Sequence, residues 1–498
     1  MMSIVSKSIL ILRKAAALML LPLLAWSCQL VTDDFDDETA NISNATQYIN
    51  ITISVSASES PVTRANEPKG GEYGDGVVKS EIDRENNVNN ITLIFYKDNT
   101  GINTASDETE VVSVQRYVVR RMKDNEKPSP HTTHKSTEPT GYAAQEILYT
   151  TGNQKLEGTL LEKDQTYKVL VVANAFVDVK VGDKMKTNGS IVGLRDKVIG
   201  NVFTGTGIGE DATDFVMTSE TDATVTLTDP DVEITSNETS IIYYLDCIHI
   251  ERLAARIDFD PEGGEYYNNT TDDSKSGYKY IVSGGNIFVV TKVIPFNLYN
   301  ESEYLFKRVQ DAWSGTITTT YLGDETMDNT PKANNYVVDP HTAEKNNTNT
   351  YSYLSPIAQS MSDTYTQTMN SEANKNGGII TLCYTKENTL MPTSYLKKYA
   401  TGIAFEGDYY QGSVEGTPEH RVYYHYIRHQ GEQSTEYEAK QWNELSDTEA
   451  SAADTPMNIG IVRNNIYRIS IKGEGQGTLK IQVQETKWRH VDNPTIYI

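Results

Sequence analysis

Two histidines four residues apart are the clearest candidate for a metal site in this sequence. They are His425 and His429 in the segment YYHYIRH, and on a helix this spacing would let both imidazoles bind one zinc ion. Their tyrosine and isoleucine neighbours favour a strand instead, on which residues four apart lie about 13 Å from each other. That distance is too long for a shared metal ion. A second pair, His131 and His134, lies in a polar loop without a third ligand nearby, so we predict no metal site.

Phosphate binding and catalysis also lack the residues they need. The glycine-rich segment GEGQG at 473–477 is followed by a strand-like run, so no helix N-terminus is available to hold a phosphate, and we predict a hairpin turn there. There is no Gly-x-Ser-x-Gly elbow, and no cysteine has a papain-like setting. Carboxylates are plentiful, but their spacing singles out no glycosidase pair. We therefore predict no catalytic residue, no cofactor and no enzymatic activity.

The three cysteines are Cys28, Cys247 and Cys383, too few for a disulfide scaffold. Cys247 and Cys383 both lie in strand-like runs. They could form a disulfide in an oxidising compartment, or remain buried thiols, which are common in strands. The sequence leaves both alternatives open.

The composition indicates a large, mostly β protein with an acidic surface. A chain of 498 residues is too long for one ordinary core, which favours two domains. The 31 tyrosines, together with abundant threonine, valine and isoleucine, favour sheets over helices. The best amphipathic helical stretch is short and lies at 302–313. A net charge of −24 makes nucleic acid an unsuitable partner, because like charges repel.

Short apolar runs separated by turn signals occur along the whole chain. Examples are ITLIFYK (91–97), VVSVQRYVVRRM (111–122), TYKVLVVANAF (166–176), TGIAFEGDYY (401–410), NNIYRISIKG (464–473) and LKIQVQETKW (479–488). Many short strands with intervening turns are typical of β-sandwiches or barrels. No fixed-period repeat is visible. We place the domain boundary near residues 245–255, which gives an N-terminal domain at 65–250 and a C-terminal domain at 251–498.

The first 28 residues have the features of an export signal. Basic residues precede an apolar stretch at 15–24 that is too short to span a bilayer. Cys28 ends the motif AWSC, which resembles a bacterial lipobox, so we predict a lipid on Cys28 as the only membrane attachment. The acidic segment at 29–38 resembles a surface-export signal of Bacteroidales lipoproteins; otherwise it is a solvated tether.

A predicted strand at 48–55 precedes a glycine-rich segment that contains Arg64. The strand alternates apolar and polar residues and directs four aliphatic side chains to one face: Ile49, Ile51, Ile53 and Val55. No lysine or arginine occurs between Gln29 and Thr63, so Arg64 is the first basic residue after Cys28. The glycines that follow would admit the segment to a protease. Either the strand is a permanent part of the fold, or cleavage at Arg64 makes it removable.

Several blocks of the second half resemble the fimbrillin family of Bacteroidales, the subunits of type V pili. The blocks are IHIERLAARIDF (248–259), CYTKENT (383–389), VYYHYIRH (422–429) and the closing MNIGIVRNNIYRISIKGEGQG with IQVQETKW. The run Val-Arg-Asn-Asn-Ile-Tyr, followed by a terminal strand with tryptophan, is the most specific of them. The similarity extends over most of the chain that follows the leader and is strongest from residue 248 onward.

The resemblance implies two tandem β-sandwich domains of transthyretin-like or Greek-key type on an exported lipoprotein. It implies that residues 29–64 are a tether and removable first strand, cut between Arg64 and Ala65 by an arginine-directed outer-membrane protease. The vacated groove would receive a strand from another copy or a related fimbrillin, usually from its C-terminal segment. The donor residues expected here are Ile481, Val483, Trp488, Ile496 and Ile498.

The function expected from this resemblance is that of a structural subunit of a cell-surface fimbria, which supports adhesion and biofilm formation. Its precursor would be an outer-membrane lipoprotein. Two alternatives remain open: an accessory or tip fimbrillin that acts as an adhesin, and a monomeric surface lipoprotein that binds glycans through its tyrosines. The last alternative predicts that Arg64 stays uncut and Cys28 stays attached.

Overall fold

The structure is a computed structural model. It describes residues 45–55, 83–97, 109–123, 147–158, 161–185, 190, 192–219, 222–227, 231–234, 239–310, 319–321, 336–345, 348–357, 363–375, 377–391, 394–428, 434–447, 460–474 and 478–487.

Strands form nearly all the regular structure in these ranges, which confirms the mostly β prediction. The described residues contain one α-helix, α1 (Leu396–Tyr399), and no helix among them is long and apolar enough to cross a membrane. Short 3₁₀ turns occur at Asp83–Asn86, Leu194–Asp196, Asp273–Lys275, Ser283–Gly285, Thr342–Glu344 and Asp363–Tyr365.

Eleven strands of the first half hydrogen-bond into one sheet. The described strands of this half are β1 (Thr46–Val55), β2 (Asn90–Lys97), β3 (Val111–Val118), β4 (Arg120–Arg121), β5 (Ile147–Thr150), β6 (Gln154–Lys155), β7 (Thr166–Ala173), β8 (Val198–Ile199), β9 (Met217–Ser219), β10 (Ala223–Thr226), β11 (Asp231–Ile234) and β12 (Thr239–Arg252). The main path of the sheet is β3-β2-β7-β9-β12-β1-β5-β4, with β10 beside β7, β11 beside β12 and β6 beside β1, while β8 lies outside it.

This sheet curls back on itself around one core. The hydroxyl of Tyr117 on β3 donates a hydrogen bond to the carbonyl of Lys155 on β6 at 3.2 Å, so strands far apart along the path meet. The enclosed space is filled by fully buried side chains such as Leu93, Val171 and Leu245. The first half is therefore one continuous sheet folded over its core rather than two separate sheets.

The second half is built from nineteen further strands among the described residues. They are β13 (Ala255–Asp260), β14 (Glu265–Tyr267), β15 (Gly277–Val282), β16 (Asn286–Phe296), β17 (Leu298–Tyr299), β18 (Glu303–Tyr304), β19 (Arg308–Gln310), β20 (Thr319–Tyr321), β21 (Tyr336–Val337), β22 (Tyr353–Leu354), β23 (Gln367–Thr368), β24 (Ile380–Thr385), β25 (Asn388–Thr389), β26 (Gly402–Tyr410), β27 (Glu419–Tyr426), β28 (Ser434–Ala439), β29 (Gly460–Ile461), β30 (Asn465–Glu474) and β31 (Leu479–Lys487).

Two of its sheets pack face to face as a β-sandwich. One has the order β24-β13-β30-β31-β28, and the other has the order β14-β15-β16-β26-β27 with β23 beside β16. Phe259 on β13 meets Phe405 on β26 across the sandwich, with ring centroids 5.9 Å apart. Strands β30 and β31 pair antiparallel with Glu474 opposite Leu479, as the predicted hairpin requires; residues 475–477 lie outside the described residues. The chain passes from the first core to the second between Ala254 and Ala255.

The best amphipathic helical stretch of the sequence, 302–313, does not form a helix in the part that the structure describes. Its described part, 302–310, contains β18 and β19 instead. Strand β18 pairs antiparallel with β8 of the first half, placing Glu303 opposite Ile199. Pairing with a distant segment outweighed a weak local preference for helix, as tertiary context often does.

Two glycines let neighbouring backbones approach β16 closely. A Cβ atom on Gly277 of β15 would overlap the carbonyl oxygen of Val290, and one on Gly407 of β26 would overlap that of Val289. The register of β16 against β26 also shifts just beyond Val290. Any side chain at either glycine would push the strands of this sheet apart.

We predict that Gly407→Ala lowers the free energy of unfolding of the second half by about 1–3 kcal/mol, the usual cost of overpacking. Urea denaturation measures this change. Gly378→Ala is the control, because a Cβ there meets nothing within 4 Å, and it should change stability by less than about 0.5 kcal/mol. Equal effects of the two substitutions would contradict the close approach at β16.

A buried carboxylate pair lies where β18 joins the two halves. The side chains of Glu303, Glu387 and Arg463 are all fully buried. Arg463 Nη2 lies 3.0 Å from Glu387 Oε2 and 3.7 Å from Glu303 Oε1, and the backbone N–H of Glu387 donates to Glu303 Oε2 at 2.9 Å. Burial raises the pKa of Glu303 to about 8. The positive charge of Arg463 lowers this pKa, and the nearby Glu387 carboxylate raises it, but burial has the larger effect.

We predict that stability falls as pH rises from 4.5, the ordinary pKa of a glutamate, to about 8. In this window the folded chain keeps the Glu303 proton and the unfolded chain loses it, so the free energy of unfolding drops by up to about 1.4 kcal/mol per pH unit. Chemical denaturation across this window should show a shallower decline for Glu303→Gln and an unchanged one for Glu415→Gln, whose carboxyl is exposed. If stability fell equally steeply with pH in Glu303→Gln and in the natural chain, the raised pKa would not belong to Glu303.

Candidate functional site

The first strand, β1, lies in the interior of the first sheet. It runs parallel to β12, from Thr46 opposite Ser240 to Val55 opposite Ile250. On its other side it runs antiparallel to β5 and β6. We call the space that β1 occupies the first-strand groove; β12 forms one wall, and β5 with β6 forms the other.

The structure brings the four predicted aliphatic side chains of β1 together in the first core. Ile49, Ile51, Ile53 and Val55 are each 0% exposed. The opposite face of the strand is covered as well near its end, where Thr52 and Ser54 are buried. From Ile51 onward β1 is therefore enclosed on both faces, as well as on both edges.

The first core depends heavily on β1. Burial of one large aliphatic side chain contributes roughly 1.5–3 kcal/mol, so the four together contribute about 6–12 kcal/mol. A typical domain has a total stability of only about 5–15 kcal/mol. Without an occupant, the groove would also leave the ladder groups of both walls unpaired. Loss of β1 would therefore remove burial energy comparable to the whole stability of a typical domain.

Hydrogen bonds to the backbone of β1 hold the strand in the groove. The backbone N–H of Ile51 donates to Thr151 Oγ1 at 3.1 Å, and the N–H of Thr151 donates to the carbonyl of Ile51 at 3.2 Å. Near the start of the strand, the N–H of Leu156 donates to the carbonyl of Gln47 at 2.9 Å. These contacts involve the backbone of β1, so a different sequence could make them too.

A 3₁₀ turn ties the two walls together at the Val55 end of the groove. We call this turn, Asp83–Asn86, the anchor turn. Tyr149 of β5 donates from its hydroxyl to the carbonyl of Asn86 at 2.7 Å. Arg252 of β12 donates from Nε to the carbonyl of Glu85 at 2.9 Å, and from its guanidinium to Asn86 Oδ1. The walls are thus joined by contacts that do not involve β1.

The anchor turn is also bound to the second half through buried charges. Arg256 on β13 lies 2.9 Å from Glu85 Oε2 and 3.0 Å from Asp258 Oδ2, and the hydroxyl of Tyr384 on β24 donates to Glu85. Burial lowers the pKa of Arg256, but Asp258 and Glu85 outweigh it and leave that pKa above its ordinary value. Breaking a buried pair of this kind costs about 3–5 kcal/mol.

These buried charges were not predicted from the sequence, although a signal was present. Arg252 and Arg256 stand in the otherwise largely apolar segment ERLAARIDF, where a buried guanidinium requires a carboxylate or carbonyl partner. In the first half, the carboxylate that forms an ion pair with Arg256 is Glu85, which is far away in sequence. Only the fold identifies it.

The predicted donor residues are not brought to the groove in this single chain. Ile481 and Val483 lie on β31, which pairs with β30 on one edge and β28 on the other. They are 0% and 3% exposed and belong to the second core. Cys28, Arg64, Ala65, Trp488, Ile496 and Ile498 lie outside the described residues.

The candidate metal residues of the sequence do not form a site among the described residues. His425 lies on strand β27, as predicted, and is buried with its ring 5.0 Å from that of Tyr437. Burial, assisted by the charge of Arg428, lowers the pKa of His425 to about 3. No group of three or more histidine, cysteine, aspartate or glutamate side chains in the described ranges could hold a metal ion. His131, His134 and His429 lie outside those ranges.

No disulfide joins Cys247 to Cys383. Cys383 is buried on β24, where burial raises the pKa of its thiol. Of the two alternatives left open by the sequence, the structure has the one without a disulfide.

Comparisons of the fold find fimbrial and adhesion proteins. The chain is similar to a fimbrilin from Porphyromonas gingivalis, with 12% identity, a TM-score of 0.37, and coverage of 90% of this chain and 99% of the other. It is also similar to the tip fimbrial protein Mfa3 of the same organism, with 11% identity, a TM-score of 0.33, and coverage of 88% and 98%. A fimbrial assembly protein from Parabacteroides distasonis has 12% identity, a TM-score of 0.32, and coverage of 89% and 99%. No protein-family model matches the sequence, and no curated protein matches it.

We predict that Ile53→Ala lowers the free energy of unfolding of the uncut chain by about 2–5 kcal/mol, because it leaves a cavity under β1. Ile53→Val, which removes one methylene, should cost only about 0.5–1.5 kcal/mol. Urea denaturation of both variants measures this gradient. Loss of less than about 0.5 kcal/mol in Ile53→Ala would show that β1 contributes little to the first core.

Proposed function

We propose that this chain is a structural subunit of a cell-surface fimbria, whose first strand is removed and replaced by a strand from another subunit. One observation carries the proposal: β1 precedes every other described strand in the sequence, yet it fills an interior position of the sheet and is buried on both faces from Ile51 onward. Removing it would open a groove without breaking any later connection of the chain. The resemblance of the second-half blocks to fimbrillins supports the same function.

Cleavage between Arg64 and Ala65 would separate β1 from the rest of the chain at a suitable place. Arg64 follows the end of β1 and precedes the anchor turn at Asp83–Asn86. After the cut, the anchor turn would stay covalently joined to β2 and would still bind Tyr149 on one wall and Arg252 on the other. These contacts would keep the two walls of the groove joined until a new strand binds.

The donor strand in this proposal is the segment after β31. Ile481 and Val483 stabilise the second core, so using them as donors would open that core at a cost similar to the gain. In the segment 488–498, Ile496 and Ile498 alternate as a strand in the groove requires. Addition of a strand through its backbone, with side chains filling pockets, is an established mode of recognition.

Export completes the proposal. The leader at 1–28 would direct secretion, and a lipid on Cys28 would hold the precursor at the outer membrane until an arginine-directed protease cuts it. The mature subunit would leave its lipid behind and join other copies or related subunits. The partners proposed are therefore other subunits of the fimbria, the protease, and an unidentified surface ligand.

We predict that Arg64→Ala yields a folded precursor that is not cut and does not polymerise, because β1 continues to fill the groove. The readouts are the N-terminal sequence of protein sheared from the cell surface and the polymer ladder on an unboiled gel. Lys69→Ala is the matched control, since it removes the next basic residue and should leave both cutting and polymerisation intact.

The natural chain should begin at Ala65 in the sheared fraction. A start at Cys28 with its lipid still attached would instead indicate a monomeric surface lipoprotein, the glycan-binding alternative. Ladders formed by Arg64→Ala would show that strand replacement does not depend on this arginine.

A further inference from the structure

A lysine, an asparagine and an aspartate meet in the interior of the second half. They are Lys345, Asn388 and Asp339, which are 1%, 0% and 3% exposed. Lys345 directly follows the 3₁₀ turn Thr342–Glu344, and Asn388 begins strand β25. We call these three residues the Lys345 cluster.

The lysine nitrogen touches both of the other groups. Lys345 Nζ donates to Asn388 Oδ1 at 2.7 Å, to Asp339 Oδ2, and to the carbonyl of Thr389 at 3.0 Å. It also lies 4.5 Å from the ring centroid of Tyr299. The lysine nitrogen is thus held beside the carboxamide of Asn388 in a site from which solvent is excluded.

The carboxamide is oriented by its own contacts. Asn388 Nδ2 donates to the carbonyl of Tyr399 and to Thr401 Oγ1, both at 2.8 Å. These acceptors identify which side of the amide is nitrogen, so Oδ1 must face Lys345. The hydroxyl of Tyr353 approaches the same Oδ1 at 3.5 Å as a second donor.

We propose that Lys345 and Asn388 are the site of an intramolecular amide cross-link that forms within the folded chain. Three features of the site support this reaction. A buried amine is adjacent to a carboxamide, a carboxylate contacts the amine, and the Tyr353 hydroxyl lies 3.5 Å from the oxygen on which negative charge would develop. Because the two groups are already held together, the reaction needs no bimolecular encounter. Such proximity can lower the activation free energy by about 7–11 kcal/mol.

The groups of the site can carry the protons that the reaction moves. Asp339 takes one proton from the Lys345 ammonium, and the neutral amine forms a bond from Nζ to Cγ of Asn388. In the tetrahedral intermediate, negative charge lies on Oδ1 beside the Tyr353 hydroxyl. A second proton passes from Nζ to Nδ2, the bond from Cγ to Nδ2 breaks with its electron pair on nitrogen, and the carbonyl re-forms. Asp339 then returns its proton to the departing ammonia, so an ammonium ion leaves and no oxidant or reductant is needed.

Burial favours the nucleophilic form of the lysine. It lowers the pKa of Lys345, with the Asp339 carboxylate as the main opposing influence. A lysine amine in an apolar site becomes a nucleophile in this way. If the bond does not form, the chain retains a buried ion pair, and such pairs gain little stability after their desolvation.

The cross-link would join the segment around Lys345 directly to β25, which pairs with β29 near the start of the closing strands. Pulling force along the chain would then bypass residues 346–387. That benefit rests on the proposed fimbrial function, whereas the bond itself depends only on the site.

The test is the intact mass of the purified full chain and of Lys345→Arg, which keeps the charge but cannot form the amide. We expect the natural chain to be lighter than its sequence requires by one ammonia molecule, and Lys345→Arg to have its full sequence mass. Peptide mapping should recover one branched peptide that contains both Lys345 and Asn388. Asp339→Asn should leave the two residues unlinked in whatever fraction folds.

Peptide mapping of the natural chain decides the question even if the variants fail to fold. Separate peptides with unmodified Lys345 and Asn388 would overturn the proposal. A mass lower by one water molecule, together with a branched peptide that links Lys345 to Asp339, would show that Asp339 rather than Asn388 is the acceptor. Loss of ammonia that persists in Lys345→Arg would assign it to another asparagine. Because none of these results depends on Arg64 or on polymerisation, the cross-link and the fimbrial function can fail separately.

Discussion

The pairing of β1 between two walls that come from distant parts of the sequence is the constraint on which the first half depends. The strand supplies four fully buried aliphatic side chains, and it satisfies the ladder groups of β12 on one side and β5 on the other. The chain has no other described segment at that position. Stability of the first half and its proposed capacity to accept a strand from another subunit therefore come from the same interaction.

The first strand of the second half has an equivalent set of neighbours. This strand, β13, runs parallel to β30 on one side and antiparallel to β24 on the other, as β1 does with β12 and β5. Only Leu253 and Ala254 separate β13 from β12, and Arg256 on β13 binds the anchor turn. The sequence shows no fixed-period repeat, so this correspondence is one of topology. In the proposed function, β1 can leave because it precedes the other described strands, whereas β13 follows β12 directly in the chain.

Buried charged side chains connect segments of the fold that do not pair with one another in a sheet. Arg252 and Arg256 hold the anchor turn, Arg463 joins Glu303 and Glu387 where the halves meet, and Lys345 lies between Asp339 and Asn388. Each cation has carboxylate, carbonyl or carboxamide partners from other segments, which compensates for the loss of water. Because each geometry requires several segments at once, these clusters favour one tertiary arrangement.

Local patterns in the sequence predicted the class of fold, most strand positions, the antiparallel pairing of β30 with β31 and the burial of Ile49, Ile51, Ile53 and Val55, since period-two alternation and turn residues are local properties. The local pattern was weakly helical at 302–310, where the structure instead has β18 paired with β8. The tertiary structure was needed to show three things: which strands lie beside β1, that Glu85 forms an ion pair with Arg256, and that Ile481 and Val483 belong to the second core. These facts depend on contacts between residues far apart in sequence, for which no local pattern exists.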